Sequence, residues 1–294
     1  GLGDVYKRQE SVDKAFLNEL IAEIKAIRND AYVISNAPSE ANFDAKYDAS
    51  MIETQRTIFK TVDQDSSAIF SHMDVTPLTQ VMIDSLWSDR FILYGEQEGM
   101  YPPTRAKLGV AATLLLPGLP VVQYGTEIAM NGTAGAEAHQ LYNFKTDTEL
   151  MDLIGNIQTL RNSSETLRKG EFNLVKNEQG YIAYTRKSAD EQWLVVINNR
   201  SSTETAVLTE DMIGQDKKLV AILDTETIRA DKNGNYKAIL DREKVEIYQI
   251  KEDTGINMSY IVALGIVYLL FTWFVIVIVK RGRLSRAAQN SETN

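Results

Sequence analysis

The chain has 294 residues, of which 44% are hydrophobic and 24% charged, a balance that supports more than one folded unit and a sizeable core. The formal net charge of -9 disfavours a general nucleic-acid partner. There is no cysteine and there are only two histidines, His72 and His139, which excludes a disulfide framework, an iron–sulfur cluster, a thiolate zinc site and a histidine-rich metal site.

The first residues are set aside. Asp4-Val5-Tyr6-Lys7-Arg8-Gln9 resembles what one reading frame of a sequencing-library transposon end encodes, so residues 1–9 are expected to be adaptor read-through. From Ser11, read as an N-cap, Phe16, Leu17, Leu20, Ile21, Ile24 and Ile27 recur at three- and four-residue spacing opposite Lys and Glu, which predicts an amphipathic helix. Residues 32–36 then read as a short buried strand and residues 43–48 as the next. Ser50 with Glu53 predicts a capping box for a helix that reaches Val62.

Residues 81–86 predict a third strand. Its returning helix spans residues 104–116, opened by Pro102-Pro103 and ended by Pro117-Gly118. Val121-Val122 leads from there to the polar cluster Tyr124-Gly125-Thr126-Glu127. That is a helix feeding a buried parallel strand, whose polar residues lie at the strand's C-terminal end. Thr146 and Glu149 predict a second capping box, ahead of a helix carrying Leu150, Leu153, Ile154, Ile157 and Leu160.

Beyond residue 170 the period changes to two. Residues 172–175, 181–186, 193–198, 205–208, 219–223, 236–240 and 245–250 read as short strands, separated by turns such as Asn177-Glu178-Gln179-Gly180 and Asp231-Lys232-Asn233-Gly234. They predict a β-sandwich. Residues 258–279 are an uncharged run of about 22, roughly 33 Å long as a helix and enough to cross a bilayer core. Lys280, Arg281, Arg283 and Arg286 follow and Lys251-Glu252-Asp253 precede, so the positive-inside rule predicts a cytoplasmic C-terminus with the globular parts outside.

Pro117-Gly118-Leu119-Pro120-Val121-Val122-Gln123-Tyr124-Gly125-Thr126-Glu127-Ile128 resembles the last barrel strand of the alpha-amylase family of glycoside hydrolases. Leu167-Arg168-Lys169-Gly170-Glu171-Phe172 is similar to the family's junction between the last barrel helix and the C-terminal domain. The resemblance covers roughly residues 11–250, but only the second half of a barrel. It implies an α/β fold: the C-terminal half of a (β/α)8 TIM barrel over residues 10–169, strands five to eight. An all-β sandwich over 170–253, a transmembrane helix over 254–280 and a basic cytoplasmic tail over 281–294 complete the expected organisation. No cofactor is implied here; any calcium ligands of the family belong to its first half.

The resemblance also implies retaining hydrolysis or transfer at α-glucosidic bonds. That chemistry needs a carboxylate nucleophile and a carboxylic acid about 5–5.5 Å apart. The family places an Asp after strand four, a Glu after strand five and an Asp after strand seven. Carried onto this chain, the nucleophile falls at Lys7, with Glu10 and Ser11 where Lys-His is usual. Asn36 stands in the place of the general acid and cannot donate a proton. Glu40 could substitute only if its loop folds back.

Asp84-Ser85-Leu86-Trp87-Ser88-Asp89-Arg90-Phe91 aligns by its flanks with strand seven, which puts Ser85, Leu86 and Trp87 where Asn-His-Asp is usual. Alternation points Asp84 away from the face of Ser85, and Asp89 lies beyond the strand. No catalytic residue is assigned, and Asn36 and Trp87 are read as degenerate positions. Trp87 offers either a stacking face with one N–H donor or a plug in vacated space. Trp87, Tyr124, Glu127 and Arg90 are the candidate substrate-binding residues, with Tyr94 and Tyr101 able to line the same face and Glu127 open to a structural role. His72 and His139 read as loop residues, and no metal site is assigned.

Two readings follow. One is an extracytoplasmic, membrane-anchored, amylase-like protein that takes an α-glucan or oligosaccharide, either as a degenerate glycan binder or as an enzyme with an unusual catalytic set. The other is a non-catalytic scaffold whose barrel serves a protein partner.

Overall fold

The computed structural model describes residues 12–71, 78–85, 87–255 and 258–292. They form two compact units, one ending at Lys251 and the other beginning at Glu252.

The first unit opens with helix α1 (Lys14–Ile27), after which Ile34 forms an isolated parallel bridge with Ala45. Strand β1 (Ala45–Lys46), helix α2 (Ala49–Phe59), strand β2 (Leu78–Val81), helices α3 (Phe91–Gln97) and α4 (Pro102–Leu115) and strand β3 (Leu119–Pro120) follow. The strands lie in the order β1-β2-β3, with both pairings parallel. A parallel neighbour cannot be reached by a tight turn, so each return passes through a helix. Helix α4 buries Leu108, Val110, Ala111, Leu114 and Leu115 and has little polar face, the composition of a helix covered on several sides.

Several boundaries differ from the sequence reading. The strand expected over residues 32–36 is reduced to the bridge at Ile34. The strand expected over 81–86 runs instead over Leu78–Val81, and Met82, Ile83, Asp84 and Ser85 are buried beyond the ladder. The cause is Asp84, whose carboxylate accepts from the Phe91 N–H at 2.7 Å and the Thr126 hydroxyl at 2.8 Å. Those bonds draw the chain inward at the strand's end. The Ser50–Glu53 box is replaced by Asp48, which accepts from the N–H groups of Ser50 and Met51 at 2.9 and 3.1 Å. Glu53 pairs with Arg56 instead, at 2.8 Å.

Helix α5 (Glu149–Ser163) likewise starts without the Thr146–Glu149 box: Asp147 accepts from the Glu149 N–H at 2.7 Å and Thr148 donates to Asp152 at 3.1 Å. On α1 the predicted apolar stripe buries Ile21 but leaves Phe16 58% and Ile27 88% exposed. Among the described residues nothing covers that side of the helix.

Gly118, at the turn into β3, has φ +126°, and a Cβ there would lie 2.7 Å from the Thr79 carbonyl and 2.6 Å from a Val81 methyl. Gly118→Ala is therefore expected to lower stability by about 1–3 kcal/mol from the backbone alone, with the clash added to it. A thermal melt identical to the parent's would contradict that.

Helix α6 (Glu165–Lys169) leads into the β-domain. Its strands are β4 (Glu171–Glu178), β5 (Tyr181–Lys187), β6 (Gln192–Asn198), β7 (Glu204–Thr209), β8 (Lys217–Ala221), β9 (Thr227–Arg229), β10 (Asn235–Leu240) and β11 (Lys244–Glu252), with the short helix α7 (Glu210–Ile213) after β7. One sheet runs β4-β5-β6-β11-β8-β9 and a second pairs β10 with β7. β9 was missed by the sequence reading; it has three residues with only the central Ile228 buried, too short for an alternation to stand out.

The two-residue period sorts each central strand between two cores. Ile182, Tyr184, Val195, Ile197 and Ile247 pack into the core that contains Leu115, Leu116 and Ile157 of the α/β part. Their alternating neighbours Tyr181, Ala183, Leu194, Val196 and Tyr248 pack with Leu208, Tyr236 and Ala238 of the second sheet. This is the expected sandwich, with its larger sheet also serving as a wall for the α/β part.

Polar contacts stitch that junction. Arg105, fully buried on α4, donates to the Phe59 carbonyl at 3.1 Å, to Asn199 Oδ1 at 2.6 Å and to Glu243. The amide of Asn199 donates in turn to the Ile58 and Thr61 carbonyls at 2.6 and 2.9 Å. The Tyr184 hydroxyl, pushed above its ordinary pKa by complete burial, donates to the Leu115 carbonyl at 2.6 Å.

The second unit is helix α8 (Met258–Glu292). Its stretch Ser259–Gly282 is long and apolar enough to cross a membrane, with mean hydropathy 2.8 and an exposed surface. The helix does not give way to a tail after residue 280 but continues through Lys280 and Arg281 to Glu292.

Candidate functional site

Parallel strands deliver their C-terminal ends to one side of the sheet, and the segments that follow Ile34, β2 and β3 meet there. The Trp87 indole N–H donates to the Asn36 carbonyl at 3.3 Å, joining the two positions that the sequence reading marked as degenerate. The Asn36 side chain is exposed and Trp87 is half-buried. The indole's single donor is thus engaged within the chain, and what remains is its flat face.

A second layer fixes this contact. The Trp87 N–H donates to Ser85 Oγ at 3.3 Å, and Ser85 and Ser88 share a hydrogen bond of 2.8 Å. Ser88 accepts from the buried guanidinium of Arg56, whose Nε also donates to the Ile83 carbonyl at 2.7 Å. The Tyr94 ring lies against Arg56, 5.6 Å from guanidinium carbon to centroid, and burial pushes its phenol up. On the Asn36 side, the Gln80 amide donates to the Ser35 carbonyl and Ser35 Oγ accepts from the Tyr47 N–H at 3.0 Å. Asn36 and Glu40 line one open cleft of about 610 Å³, beside Phe16 and Phe43.

Arg90 is not a ligand-facing residue. It is 1% exposed, and its guanidinium donates to the carbonyls of Ala138 at 2.7 Å and Tyr124 at 2.5 Å while lying 3.7 Å from Asp84. It pins the loop after β3 to the loop after β2. Asp84, buried between the Phe91 N–H and the Thr126 hydroxyl, belongs to the same framework, and Asp89 accepts from the Ala134 N–H at 2.7 Å.

Tyr124 is 44% exposed, and its hydroxyl donates to the Gln140 carbonyl at 3.1 Å. Its ring meets Tyr142 at 5.9 Å, and Tyr142 meets Phe144 at 4.8 Å. The sequence reading missed Tyr142 and Phe144; two aromatic residues at alternate positions in a polar loop were the available signal. Glu127 is half-buried beside them, on the turn Thr126–Ile128. Desolvation raises the Tyr142 phenol, and the charge of Glu127 raises it further.

Tyr101 is 69% exposed at the start of α4. His139 is exposed, with Nδ1 2.8 Å from the Gly135 carbonyl. Lys7, Glu10, Ser11, His72 and Leu86 lie outside the described residues. Among the described residues no group of three His, Asp or Glu side chains is placed to hold a metal ion.

Taken together, this is an amylase-like fold with a C-terminal β-sheet domain. The family model of the alpha-amylase C-terminal domain matches residues 170–248. The structure of an Anoxybacillus alpha-amylase is similar with a TM-score of 0.77 and 30% identity, covering 83% of this chain and 57% of that one. An alpha-amylase of Geobacillus thermoleovorans, solved in complex with acarbose, gives 0.76 and 28%, over 83% and 58%. Alpha-amylase 1 of Schwanniomyces occidentalis is 27% identical over 154 residues, 48% of this chain and 30% of its own length. A cyclomaltodextrin glucanotransferase of Geobacillus stearothermophilus is 27% identical over 186 residues, 61% of this chain and 25% of its own. The chain therefore spans less than a third of these two curated relatives and just over half of the solved structures. These similarities relate the chain to the alpha-amylase family of carbohydrate-active glycoside hydrolases.

Proposed function

We propose that this chain is a membrane-anchored, extracytoplasmic relative of the alpha-amylases that binds an α-glucan or oligosaccharide at its sheet's C-terminal end without hydrolysing it. In this reading residues 10–169 are the C-terminal half of a (β/α)8 barrel, and α8 crosses the membrane with its basic end in the cytoplasm. The observation that carries it is the Trp87–Asn36 hydrogen bond. Where the resemblance expects a carboxylic acid and a carboxylate, the chain presents the exposed side chain of Asn36 and an indole whose N–H is held by the Asn36 backbone carbonyl. Without a general acid, the leaving oxygen of a glycoside departs unprotonated, a loss worth roughly 10²- to 10⁴-fold. The indole face remains available to the apolar C–H face of a sugar.

The test is titration of the detergent-solubilised full chain with maltoheptaose, following tryptophan fluorescence and reducing-sugar release together. Saturable quenching that disappears in Trp87→Ala, with no sugar released above the buffer blank, is the expected result. Trp193 is buried in the β-domain core and Trp273 lies on helix α8, so it is the disappearance of the quenching in Trp87→Ala that assigns it to Trp87. Release that persists in Asn36→Ala and Trp87→Ala would point to a different catalytic set, and Glu40 would be the first residue to replace.

A second reading, a scaffold for a protein partner, is favoured by the uncovered apolar stripe of α1. It predicts a membrane protein that copurifies with the chain and is lost when Phe16 and Ile27 are made polar, with no sugar binding at all.

A further inference from the structure

We propose that the basic end of α8 gathers anionic phospholipids, so that the helix selects the headgroups that surround it in one leaflet. This rests on the membrane-anchor reading above and goes beyond it to the chemistry of the lipid.

The order of residues along the helix sets the depth of the charges. Residues 258–279 hold no charge and make a helix about 33 Å long, which fills the hydrocarbon core. Lys280, Arg281, Arg283 and Arg286 follow, and no acidic residue stands between Asp253 and Glu292. As a tail, the form expected from the sequence, these residues would spread into water and salt. The backbone instead stays helical to Glu292, which gives each of them a set place along the axis. At 1.5 Å per residue the four positions occupy about the next 10 Å. A headgroup layer is about 5–8 Å thick on each side of the core. Lys280, Arg281 and Arg283 therefore stand at the depth of the lipid phosphates, with Arg286 at the outer edge of that layer. The three-residue spacing of Lys280, Arg283 and Arg286 puts them on one side of the helix and leaves Arg281 on another, so lipids are met from more than one direction.

Charge then chooses the lipid. An anionic headgroup brings a phosphate without a cation of its own to a cluster that has no acidic neighbour to neutralise it, and such juxtamembrane clusters attract acidic lipids. A zwitterionic headgroup brings its own ammonium, which the cluster repels. At the opposite end of the span Glu252 and Asp253 outweigh Lys251, so the preference is confined to the basic end. A nucleic acid, the other polyanion, lies in water beyond the headgroups and out of reach of three of the four positions.

Trp273 supplies the reporter, being seven residues or about 10 Å inside Lys280 and 65% exposed on the helix. The full chain is reconstituted in vesicles of equal parts phosphatidylcholine and phosphatidylglycerol, with the acyl chains of one or the other brominated. The quantity read is the fluorescence quenching that Trp273→Phe lacks. Brominated phosphatidylglycerol is expected to occupy the helix surface about 3- to 5-fold more favourably than brominated phosphatidylcholine. The preference should fall to parity at about 1 M salt, where the Debye length is about 3 Å. It should fall likewise in the chain carrying Lys280→Gln, Arg281→Gln, Arg283→Gln and Arg286→Gln, which brominated phosphatidylcholine should still quench, as it does a helix that remains in the bilayer. Equal quenching by both lipids in the parent, or a preference that survives salt, would overturn the lipid selection and leave the anchor standing. Absence of quenching by either lipid would overturn both.

Discussion

Arg105→Met is expected to remove about 3–5 kcal/mol of stability, because it strips one partner from a buried polar cluster and leaves the others without compensation. Arg105 is fully buried and spends its guanidinium on Asn199, Glu243 and the Phe59 carbonyl. Desolvation lowers its pKa and Glu243 opposes that, which is the signature of a charge kept inside by its partners. Methionine fills much of the volume but offers no donor to Asn199 Oδ1. Glu243→Gln should cost clearly less, since Glu243 is 22% exposed and the amide still accepts a hydrogen bond. Urea unfolding of both variants measures the difference. Because the cluster joins α4 to the residues just ahead of β11, the parent should unfold in one transition and Arg105→Met should broaden or split it. Equal midpoints for parent and Arg105→Met would show that the cluster does not hold the junction.

Asp84→Ala is the second large effect expected, again about 3–5 kcal/mol. The carboxylate is 4% exposed and holds the Phe91 N–H, the Thr126 hydroxyl and, at 3.7 Å, the guanidinium of Arg90. Its removal leaves a buried guanidinium facing an apolar methyl. Asp84→Asn keeps one acceptor oxygen, for the Phe91 N–H, and its NH2 can donate to the Thr126 hydroxyl in place of the lost acceptor, so it should lose less. The two variants also separate framework from ligand contact: Asp84→Ala should abolish maltoheptaose binding together with the fold around β2 and β3, whereas Trp87→Ala should abolish binding with a near-parental melt. A fully stable Asp84→Ala chain would contradict the role given to this carboxylate.

The β-domain was legible almost strand by strand because its strands alternate and each face has its own core. Tyr181 and Ile182 point into different cores, and the alternation in the sequence is the physical cause of that division. The parallel strands were harder to read. Val81, Met82, Ile83, Asp84 and Ser85 are all buried, so no period marks where the ladder stops. Only the hydrogen bonds of Asp84 reveal that end.

Asp48 took the cap expected of Ser50 because it stands at the first turn and reaches two backbone N–H groups. At the site, Asn36 and Trp87 were each read as a degenerate position, and their hydrogen bond was not foreseen, since it depends on a backbone carbonyl. Arg90 was misread because an arginine beside a barrel mouth looks like a ligand contact until its three internal partners are known. Tyr142 and Phe144 lay in a segment without periodicity, where only the folded loop brings the rings together.

The amide of Asn199 has a consequence for the order in which the chain can mature. It satisfies the Thr61 carbonyl from 138 residues further along the chain, and the Ile58 carbonyl from 141. At roughly 5–20 residues per second, the ribosome needs on the order of ten seconds to supply that partner. Until then the C-terminal end of α2 waits with its carbonyls exposed, and the first part of the chain emerges unfinished. Translation speed between residues 61 and 199, rather than any local propensity, therefore sets the earliest moment at which this junction closes.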